Sequence, residues 1–429
     1  MIRRLHRVAG QEVEMEGKRF IRTLRLQNLL SFGSEGEEIE LHPLNVLIGP
    51  NASGKSNTLA ALSILRAVPR DLAPPIVEGG GVREWLWKGN TSQPIAEIEA
   101  TVEYPAGSMP LRYRISFTEV QHRLELIDEA IENERKRYPS NPDVYFFYRF
   151  QRGRPVLNVR TIPPDLPVLT VPTAEVVDQE RREQRSLRRE DLLPDQSVLS
   201  QRKDPDQYPE LTYLGNQFAT IQLYREWNLG RYAVARVPQQ ADLPGDVLFE
   251  NARNLGLVLN NLRNRPTVKR ILLEKLRRFY DEAEDIVTEV QGGMVQLFLH
   301  EKNLSEPVPA TRLSDGTLRY LCLLTILCHP NPPPLVCLEE PELGLHPDIL
   351  PTIADLLIEA SQRTQLIVTT HSDVLVSALT EVPDVVLVCE RDAMGSHLRR
   401  LESERLKKWL EQYSLGELWR MGEIGGTRW

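Results

Sequence analysis

Gly49, Gly54, Lys55 and Ser56 stand at the spacing G-x-x-x-x-G-K-[ST], the spacing of a loop that cradles phosphate. Glycine lets the backbone turn tightly, so that consecutive N–H groups face phosphate oxygens, and the helix that follows adds its partial positive charge. Lys55 then reaches the β- and γ-phosphates of a nucleotide, and the Ser56 hydroxyl ligates Mg²⁺. Such a loop needs a strand before it and a helix behind it. Leu44-Asn45-Val46-Leu47-Ile48 is a short apolar run, and Leu59, Leu62 and Leu65 recur at helical spacing. Residues 49–57 are therefore the candidate phosphate loop, with Asn51, Ser53 and Asn57 beside the motif residues.

Further motifs follow in order, far downstream. Leu313-Ser314-Asp315-Gly316-Thr317 opens a helix carrying Leu318, Leu321 and Leu324. Leu335-Val336-Cys337-Leu338-Glu339-Glu340 is an apolar strand ending in two carboxylates, with Pro341-Glu342-Leu343-Gly344-Leu345-His346-Pro347 directly behind it. Leu366-Ile367-Val368-Thr369-Thr370-His371-Ser372 is another apolar strand, ending in a histidine. Taken singly, each has a bland reading: a serine at a helix start is commonly a cap, and a lone histidine is commonly structural. Their order behind a phosphate loop gives them a shared chemical sense.

In this set the chain resembles ATP-binding-cassette ATPases of the SMC/RecF/OLD-like branch, within a bacterial predicted-ATPase group. Residues 49–56 match Walker A, 313–317 the signature motif, 335–340 Walker B, 342–347 the D-loop region, and His371 the switch histidine. The tail, with Trp409-Leu410 and Leu415-Gly416-Glu417-Leu418-Trp419, resembles the tail of the same group. The likeness covers residues 20–120 and 295–429. It implies an α/β fold: a P-loop head with a mixed sheet and an antiparallel β subdomain, interrupted by a mostly helical insertion. The implied divisions are an N-terminal lobe over 1–120, the insertion over 121–294, a C-terminal lobe over 295–400 and a tail over 401–429.

The resemblance also implies roles. Glu339 holds the Mg²⁺ shell together with Ser56, Glu340 is the general base, and His371 contacts the γ-phosphate. Gly49, Asn51, Ser53, Gly54, Lys55, Ser56 and Asn57 grip one nucleotide. Ser314 and Gly316, at a helix N-terminus, serve the nucleotide of a second subunit, so that two ATPs are sandwiched in a two-fold dimer. Two departures stand out. Walker B commonly ends Asp-Glu, whereas here it is Glu339-Glu340; and the Q-loop has only Gln93 as a candidate.

These residues must be positioned by strands and helices of ordinary pattern. Phe20, Leu24 and Leu26 alternate and predict a strand; residues 39–47 predict a second one running into the phosphate loop. Residues 71–81 are rich in Pro and Gly and predict a loop. Residues 95–104 and 111–118 predict an antiparallel hairpin about Pro105-Ala106-Gly107, which 123–131 and 144–150 extend. Proline and charge dominate 161–206, the least ordered composition in the chain. Helical spacing returns over 211–225 and 245–262, and most cleanly over 267–287 with Val268, Leu272, Leu276, Phe279 and Ala283 on one face. Residues 294–300 predict a strand.

The whole chain of 429 residues suffices for a sizeable core and two or three domains. A net charge of −8 argues against a generally basic nucleic-acid coat. The local basic stretches 134–137 and 181–189 contain or adjoin acidic residues, and read as solvated faces or as a local basic patch. Cys322, Cys328, Cys337 and Cys389 lack metal-ligand spacing and sit in apolar runs, as reduced core residues of a cytoplasmic protein would. The basic N-terminus has no apolar segment behind it, so no signal peptide is expected, and no run is long enough for a membrane span.

ATP and Mg²⁺ are thus the expected ligands, a second copy the expected partner, and ATP-driven closure the expected motion. Action on DNA, or control of a separately encoded nuclease as in phage defence, is the first output that fits. A RecF-like repair clamp is the alternative, and a transporter subunit fits least. OLD-type nucleases carry a C-terminal metal-binding domain. Here 41 residues (429 − 388) follow the strand expected to end at Val388, fewer than the roughly 50 of a small domain, so a nuclease is expected on another chain.

Overall fold

The computed structural model describes residues 17–89, 94–136, 138, 143–151, 154–160, 182–188 and 192–426. The apolar runs become the centre of the fold. β3 (Leu44–Ile48) and β16 (Gln365–Thr369) are buried throughout, and β15 (Leu335–Glu339) is buried up to its last residue, as strands covered on both faces must be. With β10 (Gln222–Tyr224), β17 (Val386–Arg391) and β18 (Ser396–Arg400) they form a six-stranded sheet in the order β10-β15-β16-β3-β17-β18. All neighbours are parallel except β17 and β18. Thr369 is in register with both Leu47 and Glu339, so the three chains leave the sheet side by side at its C-terminal edge.

The antiparallel lobe is an eight-stranded sheet in the order β2-β1-β4-β5-β6-β7-β8-β9. Its strands are β1 (Ile21–Gln27), β2 (Glu37–Glu40), β4 (Ala96–Val102), β5 (Leu111–Val120), β6 (Arg123–Asn133), β7 (Phe146–Gln151), β8 (Arg154–Arg160) and β9 (Arg182–Ser186). A smaller sheet combines β11 (Gln239–Gln240), β12 (Ala283–Gln291), β13 (Met294–Glu301) and β14 (Val308–Pro309).

Period-two alternation sends neighbouring residues of the parallel sheet into opposite cores. Leu47, Cys337 and Ile367 face the core shared with the antiparallel sheet, and α1 (Lys55–Ala67) fills it with Leu59, Leu62 and Leu65. α2 (Ala73–Glu78), α3 (Val82–Trp85), α4 (Val198–Gln201) and α5 (Pro209–Ala219) line the same core. Val46, Ile48, Val336, Leu338 and Val368 face the other core. There they meet α6 (Leu255–Arg263), α7 (Pro266–Phe279), α8 (Asp315–Leu327), α9 (Leu350–Ser361), α10 (Asp373–Ser377) and α12 (Leu415–Met421). α11 (Ser403–Leu410) buries none of its residues, though Leu406 and Leu410 rest against that core. The four thiols are free, and burial pushes each up to about 12, as their apolar surroundings imply. Among the described residues no helix is long and apolar enough to cross a membrane.

One side chain staples the two large sheets. The Gln365 amide accepts from the N–H groups of Phe20 (3.2 Å) and Ile21 (2.8 Å), and donates to the carbonyls of Ile21 (2.8 Å) and His42 (3.1 Å). Every polar atom of this buried amide is thereby used, which is what burial demands of it.

The α/β head and the hairpin of β4 and β5 stand where the sequence places them. Several boundaries differ, each for a local reason. Residues 39–47 are two strands in different sheets: Pro43 has no N–H, and the Asn45 side chain bonds His42 N and O (2.9 and 2.6 Å), turning the chain between them. Residues 71–81 include α2, which has proline in its first turn, where no N–H is needed. The helix expected over 267–287 stops at Phe279, because Tyr280 is extended and Ile286-Val287-Thr288 pair with β13 in β12. Likewise 211–225 yields α5 and then β10.

The mostly helical character expected of 121–294 needs correcting too. It holds α4 to α7, but also β6 to β12, because the alternation begun in β4 and β5 continues past the turn at Gln121 and His122. Residues 161–181 lie outside the described residues. The strand expected to end at Val388 runs to Arg391 and is not the last, since β18 pairs with it before the tail begins.

Candidate nucleotide-binding site

The phosphate loop follows β3 and depends on two glycines. Gly49 has φ +145°, and a Cβ there would sit 2.2 Å from the Cys389 carbonyl oxygen. Gly54 has φ +113°, caps α1, and would place a Cβ 2.6 Å from Ser396 Oγ. Only glycine fits either place. Between them Asn51 is exposed at the crest of the loop, and Ser53 is buried with a hydroxyl that has no hydrogen-bond partner. An orphaned buried hydroxyl inside a glycine-lined cradle is what a loop shaped for an anion leaves behind.

Lys55 opens α1 and folds back, its Nζ donating to the carbonyls of Gly49 (2.7 Å) and Pro50 (2.9 Å). Burial lowers the pKa of its ammonium, against the opposing pull of Cys389, Glu340 and Glu339. Ser56 Oγ donates to Glu339 Oε1 at 2.5 Å, bringing together the two residues expected to hold Mg²⁺. Asn57 Nδ2 donates to Ser31 Oγ (2.7 Å), and Ser396 Oγ also reaches Ser31 Oγ (2.7 Å). Asn57 and Ser31 form one wall of a cleft of about 460 Å³ whose other walls include Leu86, Trp87, Lys88 and Arg391. The Arg391 guanidinium lies 5.9 Å from the centre of the Trp87 ring.

The neighbouring strands supply the remaining groups. Glu339 ends β15, and Glu340 then adopts φ +45°, its N–H donating to Thr369 O (3.0 Å) on β16. This left-handed turn places Glu340 Oε1 3.7 Å from Nε2 of His371. His371 is held by a third carboxylate: Glu342 Oε1 accepts from the His371 N–H (2.9 Å) and from Thr370 Oγ1 (2.5 Å). Burial raises the Glu342 carboxyl, against those two donors, and nearby Glu340 adds to it; its Oε2 is buried without a partner. For His371, burial and then Lys55 lower the pKa while Glu340 opposes, which favours the neutral ring.

Gly49, Ser53, Gly54, Lys55, Ser56, Glu339, Glu340 and His371 thus converge at the C-terminal edge of the parallel sheet, where open α/β sheets place their ligands. Ser314 and Gly316 belong to a different cluster. Ser314 caps α8, accepting from Thr317 N at 3.0 Å, and a Cβ on Gly316 would lie 3.0 Å from Gly344 O. Among the described residues no hydrogen bond ties either of them to the phosphate loop. Gln93 lies outside the described residues. Of the basic stretches, 182–186 forms the edge strand β9, with Arg182 paired to Glu210 at 2.7 Å; Arg137, Arg181 and Arg189 lie outside the described residues.

Sequence reasoning missed Glu342, Ser31, Trp87 and Arg391. Glu342 had a signal, a third carboxylate two residues behind Glu340. The others had none, since only the fold brings them to the loop.

No curated protein matches this sequence. Among solved structures, an Smc head bound to the C-winged helix domain of ScpA matches with a TM-score of 0.52 and 14% identity over 90% of this chain and 99% of that one. An Smc head domain with a coiled coil and joint, derived from Pyrococcus yayanosii, matches with a TM-score of 0.51 and 11% identity over 92% and 99%. At such identity the likeness is one of fold: that of an SMC-type ATPase head. A family model matches residues 44–377, from the strand before the phosphate loop to the helix behind His371. The chain belongs to the family described as "AAA domain, putative AbiEii toxin, Type IV TA system".

Proposed function

We propose that the protein binds ATP with Mg²⁺, hydrolyses it to ADP and phosphate, and uses the cycle to close and reopen a two-fold dimer. The observation that carries this reading is the meeting of Lys55, the Ser56–Glu339 pair and the Glu340–His371 pair at one sheet edge. The residues fit the ligand: the cradle excludes a Cβ at two positions, and the buried Ser53 hydroxyl awaits a partner. When bound between Ser56 and Glu339, Mg²⁺ supplies charge neutralisation for the β- and γ-phosphate oxygens.

The protein's own part is positioning and proton handling. Lys55 contributes a fixed charge, and the start of α1 contributes N–H donors. Glu340 accepts a proton from the attacking water as its oxygen bonds the γ-phosphorus, and the bond from that phosphorus to the β–γ bridging oxygen breaks. His371 donates toward the γ-phosphate, and Glu342 fixes its backbone. The cleft beside Trp87 and Arg391 takes the nucleoside end of the ligand. Ser314 and Gly316, which stand apart from the loop of their own chain, face the nucleotide of a second copy.

The output fits a partner-controlled switch. The matched Smc head is bound to a domain of another protein, and the family description names a toxin of a toxin–antitoxin system. The bound domain supports a partner protein as the recipient of the motion, and DNA or a separate effector, such as a nuclease, is the output of this reading. Lys55→Ala should abolish ATP turnover and weaken nucleotide binding by about tenfold or more, through loss of the loop's point charge. Turnover of this variant at the wild-type rate overturns the assignment. DNA that stimulates turnover in a salt-sensitive way supports the nucleic-acid output.

A further inference from the structure

Arg236 is an arginine buried to 4% exposure that touches the start of α8 from the loop between β10 and β11. It sits in a loop built to present it: Ala233 N bonds Gly230 O (2.9 Å), Arg236 N bonds Ala233 O (3.0 Å), and Ala233 and Ala235 are buried beneath. Its Nε donates to the carbonyls of Leu229 (2.9 Å) and Gly230 (3.1 Å), locking the guanidinium to its own loop. Nη1 donates to Ala310 O (3.1 Å) and Leu313 O (2.5 Å), and Nη2 pairs with the Asp315 carboxylate. Leu313 and Asp315 are the residues on either side of Ser314. One planar fork therefore fixes both neighbours of the helix cap, and so the direction in which Ser314 and the first N–H groups of α8 point.

We propose that Arg236 is the positioning residue for the signature half of the ATP site: it holds Ser314 and Gly316 in the orientation that meets a nucleotide carried by a second copy of this chain. The inference rests on the shared-site reading above. Its chemistry needs arginine in particular. A lysine keeps the charge but is a point donor with three protons and cannot span five acceptors in one plane. Arg236→Lys therefore leaves the phosphate loop intact and loosens the other half of the site.

The test mixes full-length variants and allows their subunits to exchange. Alone, Arg236→Lys should bind labelled ATP within about twofold of wild type, yet turn over about tenfold more slowly or worse, because a positioning fork has been lost while the grip on phosphate remains. Mixed with Lys55→Ala, half the dimers pair one of each and carry one undamaged site, so turnover should return to about a quarter of wild type. Mixed with Ser314→Arg it should not return, because both variants damage the same half. A role confined to folding would not sort the variants in this way.

The control is Lys55→Ala mixed with Ser314→Arg, which should also recover. If the control fails despite demonstrated exchange, the shared-site reading falls and takes the proposal with it. If the control recovers and Arg236→Lys with Lys55→Ala does not, or if Arg236→Lys alone is fully active, the proposal alone is overturned. Should Arg236→Lys fail to fold, Asp315→Asn decides in the same mixtures. It removes one of the arginine's partners at an exposed carboxylate and strands no buried carbonyl. Recovery with Lys55→Ala but not with Ser314→Arg supports the proposal, and any other pattern overturns it.

Discussion

Glu339 and Glu340 are adjacent and chemically identical, yet the backbone gives them different neighbours. Glu339 still has strand geometry and reaches Ser56 on the phosphate loop; Glu340 has turned left-handed and reaches His371 on the next strand. Their variants should separate accordingly. Glu340→Gln should bind ATP and Mg²⁺, lose about 10²–10⁴ in turnover, as removal of a general base does, and accumulate a closed dimer in light scattering. Glu339→Gln should instead raise the Mg²⁺ concentration needed for activity. If Glu339→Gln proves the better dimer trap, the two roles are reversed.

Elements carry the next level of explanation, and β6 shows how a buried group can make one respond to pH. Glu129 is fully buried and accepts from Tyr113 Oη (2.8 Å), Ser197 Oγ and Val198 N (2.8 Å), pinning the start of α4 to the antiparallel sheet. Burial pushes its carboxyl up to about 7, more than those three donors pull it down. The folded protein then holds this proton more tightly than the unfolded chain does, so stability falls as pH rises from the usual carboxyl range through about 7. Melting temperature should drop between pH 5 and pH 8 more steeply in wild type than in Glu129→Gln; equal slopes would dismiss the carboxyl as the cause. What the sequence reveals follows the same distinction between local and distant causes. β3, β15 and β16 are legible because an unbroken apolar run has one explanation, and the phosphate loop because its chemistry lies within eight residues. The sheet change at His42 and Pro43 is hidden, since only these two residues separate Leu41 from the apolar run that begins at Leu44. The end of α7 is hidden because Ala283 happens to continue the helical spacing. Arg236 was illegible, with partners 74 to 79 residues away and no pattern linking them.

At the scale of the whole molecule, three layers hold the edge where the chemistry is assembled, and Gln365 keeps the antiparallel sheet from sliding on the parallel one. Such a frame can tolerate a locally unfavourable conformation, and it holds one at Glu340. A non-glycine residue at φ +45° costs about 1 kcal/mol. The same side chain also adds its charge to a crowded set, with Glu339 beside it and Glu342 two residues on. Asparagine suits the left-handed region better and carries no charge. Glu340→Asn should therefore melt about 1–2 °C higher than wild type while its turnover is lost. A lower melting temperature would show that the turn at Glu340 is not a burden on the frame. The carboxylate proposed as the general base is one that the fold, left to itself, would discard.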